Sequence, residues 1–204
     1  MGLGWILNRG GGYRTPDPTR TLRTRGVAVI GGSEPKTSEL WSGLVEPVVD
    51  LFAASRWSLV YCGMGGGLSG RIATQAIRRG VSVKAILMRG QEPPDVPEYA
   101  KRVLVADYYA RQKRLFQGTT ATLVLPGGTG TIAELTTAAG LAAAGLIKKP
   151  VLLDPDGWFD ELGAWYGKAV RAGAARHDLA SSVHVVTTVA AAREIIQMEM
   201  VLKT

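Results

Sequence analysis

The segment LPGGTGTIAE, Leu125 to Glu134, sets three glycines and two threonines between an apolar run and a single carboxylate. A glycine turn that opens a helix leaves backbone N–H groups without intrahelical partners and adds the positive end of the helix dipole. Both features suit an anion, and phosphate is the natural guest. Gly127, Gly128 and Gly130 would supply bare backbone, while Thr129 and Thr131 add hydroxyl donors. The plainer reading is a turn closed by Thr131 as N-cap of the next helix. Glu134 carries the same ambiguity. Its T-x-x-E spacing from Thr131 fits an ordinary capping box. It also fits a carboxylate held beside a phosphate site, where it could stabilise positive charge developing on a sugar or serve as base for an attacking water.

Familiar phosphate signatures do not account for the segment. A Walker loop needs glycine followed by Lys and Ser or Thr, and no glycine cluster here supplies it. GMGGGLSG, Gly63 to Gly70, lacks the acid expected about 20 residues later in a dinucleotide fingerprint; the strand there carries Lys84.

The elements that must hold these loops follow from the apolar pattern. Val27 to Ser33 is a β-branched run ending in glycines, as a buried parallel strand should be. Glu39 to Ala54 carries apolar residues at spacings of three and four and reads as one helix across Pro47. Strand and helix then alternate: SLVYCG, a helix stopped at Gly80, SVKAILM, a proline-rich loop from Gly90 to Ala100, RVLVA, and a helix from Tyr108 to Gln117. There follow ATLVLPGG, a helix from Thr131 to Gly145, KPVLLD, the WFDELGAWYGKAVRAG helix, VHVVT and a closing helix. This alternation predicts an open α/β fold, a doubly wound, mainly parallel sheet with helices on both faces. In such a sheet ligands lie beyond the carboxyl ends of the strands. Three glycine clusters, Gly31 to Ser33, Gly63 to Gly70 and Gly127 to Gly130, all fall at such ends, so a shared cleft is expected.

Composition narrows the function classes. In 204 residues, 46% are hydrophobic and 20% charged, the balance of a water-soluble globular domain with no apolar run of membrane-spanning length. The net charge is +7, but five arginines against one aspartate in the first 25 residues carry +4 of it. The expected organisation is a basic, flexible extension over 1–25 and one domain over 26–204. Neither nucleic acid nor membrane is expected as partner. The single cysteine excludes an internal disulfide and points to the cytoplasm.

Taken with YYARQKRLF, the glycine clusters resemble those of the LOG ("Lonely guy") family, long labelled lysine decarboxylases. That family's hallmark is PGGxGTxxE, and Pro126, Gly127, Gly128, Gly130, Thr131 and Glu134 match every fixed position. Arg111, fifteen residues before Pro126, matches an arginine on the helix ahead of that strand. The resemblance runs from Val27 to Thr188 and includes GLIKKPVLLDPDGWFDEL. It implies a Rossmann-like fold and hydrolysis of the N-glycosidic bond of nucleoside 5′-monophosphates, cytokinin ribosides or AMP-like, to free base and ribose 5-phosphate. It implies Glu134 and Arg111 as the catalytic pair, and a 5′-phosphate cradle of Gly127, Gly128, Thr129, Gly130 and Thr131, with Gly32 and Ser33 contributing. It further implies a homodimer. No cofactor and no metal are expected. Related proteins of the same fold carry the molybdenum cofactor or bind nucleotides without cleaving them, which is the alternative.

The chain departs from that family at several positions. Cys62 and Met64 replace glycines, Ser69 a methionine, Gln112 the lysine that usually follows the arginine, Ala133 an acid and Thr129 an aromatic. Cys62 reads as a buried structural cysteine, since neither His177 nor His184 has the context of a partner base. Lys148 and Lys149 border a strand and read as solvated. Trp158, Phe159, Trp165 and Tyr166 read as core or subunit contacts.

Overall fold

The computed structural model describes residues 25–176 and 179–201. Most of the basic extension, and His177, lie outside the described residues. Seven parallel strands form one sheet: β1 (Gly26–Ile30), β2 (Ser58–Tyr61), β3 (Val83–Met88), β4 (Lys101–Val105), β5 (Ala121–Val124), β6 (Val151–Leu153) and β7 (His184–Val186). Their order is β4-β3-β2-β1-β5-β6-β7. The chain therefore winds outward from β1 in one direction, returns to β5 on the other side of β1, and continues outward again. The doubly wound sheet is the one expected, and every strand pairing in it is parallel.

The helices are α1 (Pro35–Leu40), α2 (Val45–Ser55), α3 (Gly67–Arg78), α4 (Tyr108–Gln117), α5 (Thr129–Ala143), α6 (Asp160–Arg171), α7 (Leu179–Ser182) and α8 (Val189–Val201). Because strand side chains alternate between faces, β1 feeds two cores. Val27 and Val29 pack with α2, α3 and α8, through residues such as Phe52, Ile72 and Ile196. Ala28 and Ile30 pack with α4, α5 and α7, through Leu115, Leu135 and Leu179. Both faces of the sheet are covered, as buried apolar strands require. No described helix is long and apolar enough to cross a membrane.

The single helix expected over Glu39 to Ala54 is instead broken. α1 ends at Leu40, a 3₁₀ turn covers Ser42–Leu44, and α2 starts at Val45. Pro47 explains the restart, because a proline in a helix's first turn sacrifices an N–H that has no intrahelical partner anyway. The break turns Trp41 inward, where it is buried. α7 is too short to leave a periodic signal in the sequence.

The winding reverses between β1 and β5, and their register brings the two carboxyl ends level, with Ile30 paired to Val124. Beyond the strands the loops remain stitched: Leu125 N–H donates to Ile30 O at 2.8 Å and Gly32 N–H to Pro126 O at 3.0 Å. Leu123, fully buried in β5, sits at the centre of this arrangement. Leu123→Ala is expected to cost about 2–5 kcal/mol of stability, read from the midpoint of urea unfolding.

Candidate active site

The cleft at this reversal has a volume of about 550 Å³, within the roughly 300–1,000 Å³ usual for small-molecule sites. It is lined by residues from the ends of β1, β2 and β5 and from α1, α3, α4 and α5. All three glycine clusters contribute to it, through Gly31 to Ser33, Met64 and Ser69, and Gly127 to Gly130.

Close backbone packing accounts for some of these glycines. A Cβ on Gly127 would lie 2.6 Å from Gly32 N and would collide with Thr131 Oγ1. Gly67 has φ +66 and abuts the Ser33 main chain. Ser69 fixes the first loop from below, its N–H donating to Gly32 O at 3.3 Å. Gly128 and Gly130 differ. A Cβ on either would meet nothing within 4 Å, and both face the cleft. Packing does not demand glycine there; an approaching ligand would.

α5 begins at Thr129 with Gly128 as N-cap, and no side chain caps it. The leading N–H groups of the helix, on Thr129, Gly130 and Thr131, are thus left at the cleft with the positive end of the helix dipole. Thr131 is the third residue of the helix rather than its cap, so the capping box does not form. Glu134 is released from that duty. Its Oε1 accepts from Cys62 Sγ at 2.9 Å and from Gln112 Nε2 at 3.1 Å. Glu134 is 8% exposed and lines the cleft.

Arg111 and Gln112 come from α4, which starts where it does because Asp107 accepts the Ala110 N–H at 2.8 Å. Arg111 also lines the cleft, with its guanidinium 5.1 Å from the centre of the Tyr108 ring. Its Nε is buried without a hydrogen-bond partner. Among the described residues Arg111 forms no ion pair. A cation and a carboxylate thus face one cleft with neither neutralised by a counter-charge among the described residues, an arrangement that is costly unless something bound there uses it.

Residues outside the expected set also belong to this site, Gln112, Cys62 and Trp158 among them. Cys62 lies just past the end of β2 and lines the cleft, its Sγ donating to Glu134. Burial, and then the Glu134 charge, push its thiol well above its ordinary pKa. It is therefore an S–H donor rather than a thiolate nucleophile. Trp158, expected in the core or a subunit contact, is half-exposed on the cleft wall. Its indole N–H donates to Gly127 O at 2.8 Å, and it meets Trp41 edge-on at 4.8 Å. Asp154 holds the turn that presents it, accepting the N–H groups of Trp158 and Phe159 at 2.8 and 3.0 Å. Phe159 is core, as expected. The signal for Cys62 was its position at a strand's carboxyl end beside a glycine cluster. His184 lies in β7, away from the cleft, and pairs with Glu199 at 2.8 Å.

Residues 64–196 match the family model described as "Possible lysine decarboxylase". The chain is 29% identical over 178 residues to the cytokinin riboside 5′-monophosphate phosphoribohydrolase LOG5 of Arabidopsis thaliana, covering 86% of this chain and 77% of that protein. It is 33% identical over 131 residues to LOG1 of the same plant, with the same enzyme name, covering 61% and 62%. Among solved structures, the molybdenum cofactor carrier protein of Chlamydomonas reinhardtii superimposes with a TM-score of 0.63 at 20% identity, over 87% of this chain and 98% of that one. The molybdenum cofactor binding protein of Rippkaea orientalis does so with 0.62 at 18%, over the same shares. At such identities these structures speak to the fold, which they share.

The two kinds of glycine should separate on substitution. Gly127→Ala is expected to destabilise the protein by about 1–3 kcal/mol through overpacking. Gly130→Ala should leave stability unchanged or raise it by up to about 1 kcal/mol, since alanine is the better helix former. The same change should weaken AMP binding about tenfold or more, as judged by calorimetry beside thermal unfolding.

Proposed function

The chain belongs to the "Possible lysine decarboxylase" family, and on that premise we propose that it is a nucleoside 5′-monophosphate phosphoribohydrolase. The observation that carries this reading is Glu134, a buried carboxylate with no cationic partner among the described residues, one turn inside an uncapped helix start that opens on the same cleft. Binding a phosphorylated ligand calls for donors, which the start of α5 has. It does not call for an acid beside them; breaking a glycosidic bond does.

In this reading the 5′-phosphate lies against the N–H groups of Thr129, Gly130 and Thr131, with Gly127, Gly128, Gly32 and Ser33 shaping the cradle. Arg111 supplies the positive charge that phosphate or the departing base needs. As the bond between C1′ and the base nitrogen lengthens, positive charge grows on the ribose, and Glu134 stabilises it. Water adds its oxygen to C1′ and gives up a proton to Glu134, while the base leaves with the bonding pair and takes up a proton. The products are free base and ribose 5-phosphate. Leu40, Met64 and Trp158 give the cleft an apolar lining suited to a purine and its substituent. The names of the plant relatives support trying cytokinin riboside monophosphates as well as AMP.

The uncharged exposed side of α5, with Ile132, Ala133, Gly140 and Ala143, extends to exposed Leu146. It supports a homodimer as part of the same proposal. Sedimentation of the parent as a dimer, and of Gly140→Arg as a monomer, is the expected result.

Purified protein incubated with AMP and with isopentenyladenosine monophosphate is expected to release adenine or the substituted base, followed by chromatography. Glu134→Gln should slow the release by about two to four orders of magnitude. Tight nucleotide binding with no base released from any nucleotide would make the protein a carrier. Base release undiminished in Glu134→Gln would refute the mechanism.

A further inference from the structure

We propose that Cys62 and Gln112 act together as positioning residues that hold Glu134 by one oxygen and leave the other to the substrate. This rests on the hydrolase reading above. The two donors come from different layers of the fold, Cys62 just past the end of β2 and Gln112 from α4, 50 residues further along. They converge on a single atom, Glu134 Oε1, at 2.9 and 3.1 Å. Among the described residues no donor reaches Oε2. A carboxylate pinned at one oxygen from two directions cannot rotate about its terminal bond without breaking at least one contact. Its free oxygen is therefore fixed in direction before any ligand arrives, which lowers the cost of ordering the reacting groups.

The chemistry of the pair fits this task better than a structural one. Gln112 is 6% exposed, and its amide oxygen is buried with no hydrogen-bond partner. A glutamine kept only for stability would satisfy both ends of its amide, because an orphaned buried acceptor costs free energy. The reverse amide orientation would set oxygen against the Glu134 carboxylate, so the donation is dictated by charge. Cys62 complements it. Burial and the Glu134 charge keep the thiol protonated, so it donates without adding a second negative charge to the cleft. A lysine in place of Gln112 would neutralise Glu134; a neutral amide and a thiol direct it and leave its charge available to a cationic sugar.

The chain's single cysteine makes the contact directly observable, since the S–H stretching band in the infrared belongs to Cys62 alone. In the parent the band should lie below that of the unfolded protein, and Glu134→Ala should move it upward. An unmoved band would overturn the contact and with it the proposal. The kinetic arm uses AMP with Cys62→Ala, Cys62→Ser, Gln112→Met and the Cys62→Ala, Gln112→Met double variant. Each single loss of a donor should lower kcat about 10- to 100-fold with KM within about twofold. Serine should restore most of the cysteine effect, and the double variant should lose less than the product of the two singles, because both donors serve one atom. Gln112→Met removes an unsatisfied buried acceptor and should be no less heat-stable than the parent, so lost folding cannot mimic the result. Unchanged kcat in both single variants, or a loss confined to KM, would overturn positioning. If the parent cleaves no nucleotide, the hydrolase reading falls together with the catalytic half of this proposal, and the S–H band still decides whether the pair holds the carboxylate.

Discussion

The architecture of the site depends on two main-chain segments lying closer than side chains would permit. The loop after β1 and the loop after β5 meet at the Gly32 N–H and the Pro126 carbonyl, 3.0 Å apart, and Gly127 has no room for even a methyl group. The meeting point lies where the sheet reverses its winding, so the loops diverge immediately beyond it, α1 following one and α5 the other. The divergence is the cleft. Hydrogen bonding between the loops fixes its floor, and Trp158 pins the rim by holding the Gly127 carbonyl.

On that floor the chain sets charge without compensating it. Buried ionised groups are normally paired within the protein or absent. Here, among the described residues, Glu134 receives hydrogen bonds from neutral donors only, and Arg111 keeps a buried Nε unbonded. The start of α5 adds a third uncompensated feature, its free N–H groups. Individually each has a structural explanation elsewhere in proteins. Their convergence on one cleft means that an anionic ligand with a cationic character at the reacting carbon would satisfy all three at once. The family likeness to enzymes named phosphoribohydrolases agrees with that demand.

Much of this was legible in the sequence, for identifiable reasons. Buried parallel strands are short apolar runs bounded by glycine, so β1, β2, β3 and β5 stand out, and α4 spans Tyr108–Gln117 as expected, its start fixed by Asp107. The three glycine clusters were rightly placed at one end of the sheet. What stayed hidden depended on contacts remote in sequence. The T-x-x-E spacing at Thr131 suits a capping box, but α5 starts two residues earlier, and its position follows from packing of Gly127 against Gly32 rather than from local preference. Cys62 and Gln112 reach Glu134 across 72 and 22 residues, and no local pattern announces such a meeting. Their departure from the family pattern was visible; their convergence was not. Trp158 is not core, because the Asp154 turn holds it outward on the cleft wall, a contact that the sequence around it does not announce.

The pairing of β1 with β5 also governs when the molecule can acquire its structure during synthesis. Gly26 and Thr120, joined by a hydrogen bond at the start of these strands, are 94 residues apart. A chain emerging from the ribosome can assemble β1 to β4 with α2 and α3, yet the innermost strand then stands with one edge bare, its Val27-to-Ile30 backbone groups waiting for partners that are still untranslated. Closing so long a loop is slow, and an unpaired apolar edge invites association with other nascent chains. The nascent chain therefore passes through a defined vulnerable interval, which ends only when Val124 has cleared the exit tunnel and β5 seals the gap.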